Sequence, residues 1–106
     1  MGLKERIYSV LIVSSAEKLN TALVSMLPEN RYEPIMFASN ISAAKRLYAD
    51  RSFDFVIINS PMPDGDGSRF AIDISSNPAT VVLLLIRAEQ YNDLYEKVSG
   101  CGVFTL

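Results

Sequence analysis

Short apolar runs alternate with amphipathic stretches along the whole chain. The third run carries Val56, Ile57 and Ile58 side by side and ends abruptly at Asn59, ahead of the polar, turn-forming Pro61-Met62-Pro63-Asp64-Gly65-Asp66-Gly67. Adjacent β-branched residues without polar alternation mark a strand buried on both faces, which belongs in a parallel sheet covered by helices. Residues 7–13, 35–38, 81–86 and 102–106 supply four further strands by the same reading, and Pro34 ahead of the second suits a sheet edge. Between them lie helical patterns. Leu19, Ala22, Leu23, Met26 and Leu27 share one face of a first helix over 16–27, which Pro28 stops. Ser14 followed by Glu17 is a capping-box pattern at its start.

A second helix is capped by Ser39 or Asn40 and carries Ala43, Ala44, Leu47 and Tyr48 as a narrow stripe. A third runs over 68–76 with Phe70, Ala71 and Ile74 inward, and Asn77-Pro78 ends it. A fourth, over 90–99, has Tyr91, Leu94, Tyr95 and Val98 on one face, and Gly100 or Gly102 stops it. Leu94 and Val98 read as core, while the tyrosines suit a surface that is apolar at one end and wet at the other. The order βαβαβαβαβ predicts an α/β fold of three layers, flavodoxin-like, with a five-stranded parallel sheet ordered 2-1-3-4-5. Strands one and three then lie side by side, and Ser14, Ser15 and Asn59 converge on the carboxyl rim, where such sheets bind ligands.

Composition narrows the chemistry. The 106 residues make one domain, 49% hydrophobic and 21% charged, with net charge −2. An acidic balance argues against this segment gripping nucleic acid by itself. Cys101 is the single cysteine, so no internal disulfide forms, in keeping with a reducing cytoplasm. The longest apolar run, 81–86, is too short to span a bilayer, and residues 1–6 lack the apolar core of a signal peptide. With no histidine, the usual base for a serine nucleophile is missing, and Ser14 reads as a cap. Asp64-Gly65-Asp66-Gly67 is a turn rather than a calcium loop, because Ser75 stands where the closing glutamate belongs. Gly65 and Gly67 make no dinucleotide fingerprint, and Cys101 reads as a small apolar filler. The expectation is a non-enzyme without metal or cofactor.

Taken together, the strand–helix order and Met62-Pro63-Asp64 with Asp66-Gly67 just after the third strand resemble the receiver domain of response regulators. The family's phosphate-accepting aspartate falls on Asn59. Its acidic pair after the first strand falls on Ser14 and Ser15. The hydroxyl residue closing its fourth strand falls on Ile86, or on Leu85 with a register slip of one, and its lysine after the fifth strand lies past Leu106. An amide cannot form the acyl phosphate, and two hydroxyls and an amide bring no charge for Mg²⁺. The resemblance thus implies a degenerate pseudo-receiver, a kind found among antiterminator-type regulators. It would work through a protein partner or a homodimer, with Tyr91, Tyr95 and Phe104 as candidate interface residues, and regulate a nucleic-acid-binding output domain.

The resemblance also implies a fifth helix, which would follow Leu106; the expectation is a chain truncated before that helix and before any output domain. The first helix then covers part of one sheet face and leaves Val10, Leu83 and Val103 partly open. The alternative reading is a flavodoxin-like domain holding a small anion or nucleotide at Ser14, Ser15, Asn59 and Ser60.

Overall fold

In the computed structural model, which describes residues 7–87, 91–100 and 102–105, nine elements follow one another: β1 (Tyr8–Val13), α1 (Glu17–Ser25), β2 (Tyr32–Ala38), α2 (Ile41–Asp50), β3 (Phe55–Asn59), α3 (Ser68–Ser75), β4 (Val81–Leu85), α4 (Tyr91–Val98) and β5 (Val103–Thr105). All strand pairs are parallel and the order is β2-β1-β3-β4-β5, as the alternating pattern requires. Cys101, Gln90 and Leu106, on which some of these expectations fall, lie outside the described residues. Among the described residues no helix is long and apolar enough to cross a membrane.

The two sheet faces are covered unequally. Leu11, Val13, Val56, Ile58, Val82 and Leu84 point to one face and meet Ala44 of α2, Phe70, Ala71 and Ile74 of α3, and Val98 of α4 in a closed core. Phe53 at the entry to β3 is also sealed there, stacked at 6.5 Å on Tyr48. Tyr48 Oη and Thr80 Oγ1 share a hydrogen bond of 2.9 Å, and Thr80 Oγ1 donates to the Phe53 carbonyl at 2.7 Å. These bonds satisfy polar groups that burial would otherwise penalise.

Among the described residues the opposite face carries α1 as its one helix, and α1 buries none of its residues fully. Val10 and Ile12 are nonetheless sealed, at 1% and 0% exposure. Val10 is therefore not open, contrary to the sequence reading. Val103 is not open on this face either: it packs against the core on the other one. Strand alternation then turns Phe104, 62% exposed and paired with Leu83, toward the α1 face. Leu83 is half-buried, partly open as expected, beside a hollow of about 200 Å³ whose lining also includes Val10, Leu27, Tyr32, Phe55 and Ile57.

Two local expectations are corrected. The capping box does not form. Ser14 still belongs to the sheet, donating its N–H to the Ala38 carbonyl at 2.9 Å, so the helix starts later, with Ala16 as N-cap and no side-chain cap bond. Strand β2 begins at Tyr32, ahead of Pro34; as an edge strand it tolerates the missing N–H. Elsewhere, Asn40 rather than Ser39 caps α2, its Oδ1 accepting from the Ala43 N–H at 2.7 Å.

Candidate functional site

The carboxyl rim is set by strand register. Val13 pairs with Ile58, which puts Ser14 beside Asn59, and Asn59 pairs with Leu85, which puts Ile86 next along the rim. Ser14 is 2% exposed, and its Oγ accepts from the Ala16 N–H at 3.1 Å. This is the short hydroxyl turn that competes with helix capping. Ser15 is exposed, Asn59 is half-buried, and Ile86 is half-buried against the core. Ser60, which the sequence reading grouped with the ligand alternative, hangs its N–H on the Leu85 carbonyl at 2.8 Å. Its Oγ is buried without a hydrogen-bond partner.

The acidic residues nearest in sequence turn away from this rim. Met62 and Gly65 exchange two backbone hydrogen bonds, of 2.7 and 3.2 Å, which folds Met62-Pro63-Asp64-Gly65 into a tight turn. That turn sends Asp64 to the start of α2, where its oxygens accept from the N–H groups of Ile41 at 2.8 Å and Ser42 at 3.0 Å, and from the Ser42 hydroxyl at 3.2 Å. The Ile41 N–H first, then the Ser42 groups, hold the Asp64 carboxyl below its ordinary value. Asp66 stands just ahead of Gly67, the N-cap of α3, and accepts from the Ser68 N–H at 2.9 Å and the Ser68 hydroxyl at 2.7 Å. Its other oxygen meets Lys97 Nζ of α4 at 3.0 Å. Partial burial opposes ionisation of Asp66, but the Ser68 bonds and the Lys97 ammonium outweigh it and lower its pKa.

The rim therefore offers hydroxyls, an amide and an aliphatic side chain where acyl-phosphate chemistry demands a carboxylate nucleophile and carboxylate metal ligands. Among the described residues no group of three His, Cys, Asp or Glu side chains comes together. Sequence reasoning left Asp64 and Asp66 as turn residues and overlooked Lys97. For Asp66 a signal existed, since Asp-Gly-Ser is a turn sequence in which the aspartate oxygen reaches the N–H two residues on. For Asp64 none did, because its partners lie more than 20 residues back in sequence.

Of the candidate interface residues, Tyr91 and Tyr95 stack with ring centroids 5.6 Å apart and planes 15° apart, at 39% and 45% exposure. Val98, one turn on along the same stripe, is sealed into the core, so the stripe is exposed toward the amino end of α4 and buried at its carboxyl end. Phe104 lies on the other side of the sheet from this pair. Nothing is described of the Leu94 side chain.

No protein-family model matches the chain, and no curated protein matches it by sequence. Solved structures do. The signal receiver domain of an HD domain-containing protein from Pseudomonas fluorescens Pf-5 is similar at 26% identity and a TM-score of 0.81, over 99% of this chain and 77% of that one. The beryllofluoride-activated NtrC4 receiver domain dimer aligns at 23% identity and a TM-score of 0.69, over 92% of this chain and 82% of that one. A cysteine-to-serine mutant of RitR aligns at 20% identity and a TM-score of 0.76, over 93% of this chain, which spans 43% of that longer one. The fold and these likenesses define the class: the chain has the receiver-type, flavodoxin-like fold seen in response regulators. Its place is among signalling receiver modules.

Proposed function

We infer that the chain is a pseudo-receiver, a cytoplasmic signalling module that keeps the receiver scaffold without phosphoacceptor chemistry and acts through protein contacts. The observation that carries the reading is the pairing that sets Asn59 beside Ser14 at the rim while both loop carboxylates are engaged elsewhere. An amide oxygen at the strand end is too poor a nucleophile to displace a phosphoryl group, and the sequence has no histidine to assist it. The stacked, exposed Tyr91–Tyr95 pair supports an interface on α4, for a protein partner or a second copy. NtrC4's receiver is a dimer, and that precedent favours the same kind of contact here. The state of this surface would be read by a nucleic-acid-binding output domain, attached or separate.

Incubation with acetyl phosphate and Mg²⁺ followed by intact-mass measurement tests the reading. The expected result is an unchanged mass; a stoichiometric phosphoryl adduct overturns it.

A further inference from the structure

At the β2 edge, a trough of about 540 Å³ runs between α1 and the strand, its wall formed by Val24, Leu27, Tyr32, Ile35 and Phe37. Two shallower hollows that share Phe37 continue it past Thr21 to Glu17, the first residue of α1. The apolar wall is left uncovered: Val24 is 41% exposed and Phe37 46%. Among the described residues its charged margin has one sign. Glu29 and Glu33 line one end and Glu17 the other, while Lys18 and Arg31 are not among the lining residues. The carboxyl end of α1 carries no basic residue in its last turn and adds a partial negative charge beside Glu29.

We propose that this trough is a docking site for an amphipathic helix of a partner protein, with an apolar stripe flanked by lysine or arginine. Apolar anchors at i, i+4 and i+7 would fill the space between Val24, Leu27 and Phe37, and the flanking cations would face Glu17, Glu29 and Glu33. The nine residues of α1 extend about 14 Å, long enough to lie alongside two to three turns of an incoming helix. An added strand is the poorer occupant, because the register shift opposite Tyr8 and Val10 makes the stretch of β2 around Pro34 irregular and breaks the straight edge that such a strand would pair with. A second copy is poorer too, since the chain is itself net acidic at −2 and would bring like charge to the carboxylates. The site lies at the edge of the sheet away from β5 and the α4 tyrosines, and it stands whether or not the rim accepts phosphate.

The test uses two synthetic helical peptides with one leucine stripe at i, i+4, i+7 spacing, one flanked by lysines and the other by glutamates, titrated into isotope-labelled protein. The lysine peptide is expected to shift the resonances of Val24, Tyr32, Ile35 and Phe37, and to bind at least about tenfold more tightly at low salt, with the gap narrowing as salt rises. Glu29→Lys with Glu33→Lys, both at exposed positions, should reverse the preference, and Phe37→Asp should abolish binding by either peptide. Tyr91→Ala with Tyr95→Ala should leave all of this unchanged, which separates this site from the α4 interface. Equal affinity for both peptides, no binding, shifts centred on α4, an extended bound peptide, or self-association lost in Phe37→Asp would each overturn the proposal.

Discussion

Gly67 and Gly100 form a matched pair for a quantitative test. Both adopt φ +80, where a side chain is strained, but a Cβ on Gly67 would stand 2.7 Å from Ile58 Cγ2, whereas one on Gly100 meets nothing within 4 Å. The left-handed backbone costs an alanine about 1–2 kcal/mol at either position. At Gly67 the methyl must also displace a branched side chain that is 0% exposed, in the middle of β3. Overpacking of that kind adds about 1–3 kcal/mol. Gly100→Ala should therefore cost about 1–2 kcal/mol and Gly67→Ala about 2–5 kcal/mol, a serious loss against typical stabilities of about 5–15 kcal/mol. Urea titration of both variants, with slopes m compared to confirm two-state unfolding, isolates the packing contribution as the difference between them. Equal losses would refute the close packing of the β3–α3 loop on Ile58, and with it the placement of Asp66 at the head of α3.

Other consequences are as direct. Asn59→Asp should not restore micromolar Mg²⁺ affinity, because one carboxylate is too few; calorimetry detecting such binding would mean that Asp64 or Asp66 can swing to the rim. Asn40→Ala should destabilise by about 0.5–2 kcal/mol in denaturant, and Ser14→Ala by less, since the Ser14 hydroxyl closes a turn and caps no helix. Asp66 has a folded pKa below its ordinary 3.8, so its contribution is full above that value and fades as pH falls through the lower folded one. Asp66→Asn should accordingly show a smaller loss of stability between neutral pH and pH ~3, followed by far-ultraviolet circular dichroism.

The fold was legible because each strand and helix announces itself by period, and because βαβ crossovers admit few arrangements. The rim followed from the same logic, since Asn59 ends an apolar run. Where the reading slipped, a nonlocal contact decided. Ser14 looks like a cap only until the Ala38 carbonyl claims its N–H for the sheet. Val10 and Val103 differ from the expectation through their own surroundings: one is sealed and the other faces the closed core. Asp64's grip on α2 spans 22 and 23 residues of sequence, a separation at which no local pattern operates. The surface trough is invisible in the sequence because its walls come from two elements, each of which alone reads as an ordinary core-facing stripe.

The two aspartates of the Met62–Gly67 turn have a dynamic consequence. The amides of Ile41 and Ser42 are held by Asp64, that of Ser68 by Asp66, and Asp66 also holds Lys97. The first turn of α2 therefore cannot fray without releasing the loop, and the loop cannot lift without freeing the head of α3 and loosening α4. Regions tied in this way open as one cooperative unit. In native-state hydrogen exchange, the amides of Ile41, Ser42 and Ser68 should share one opening free energy, and removing either carboxylate should split them into separate, faster-exchanging groups. A six-residue turn thus sets the grain size of fluctuation for one side of the domain.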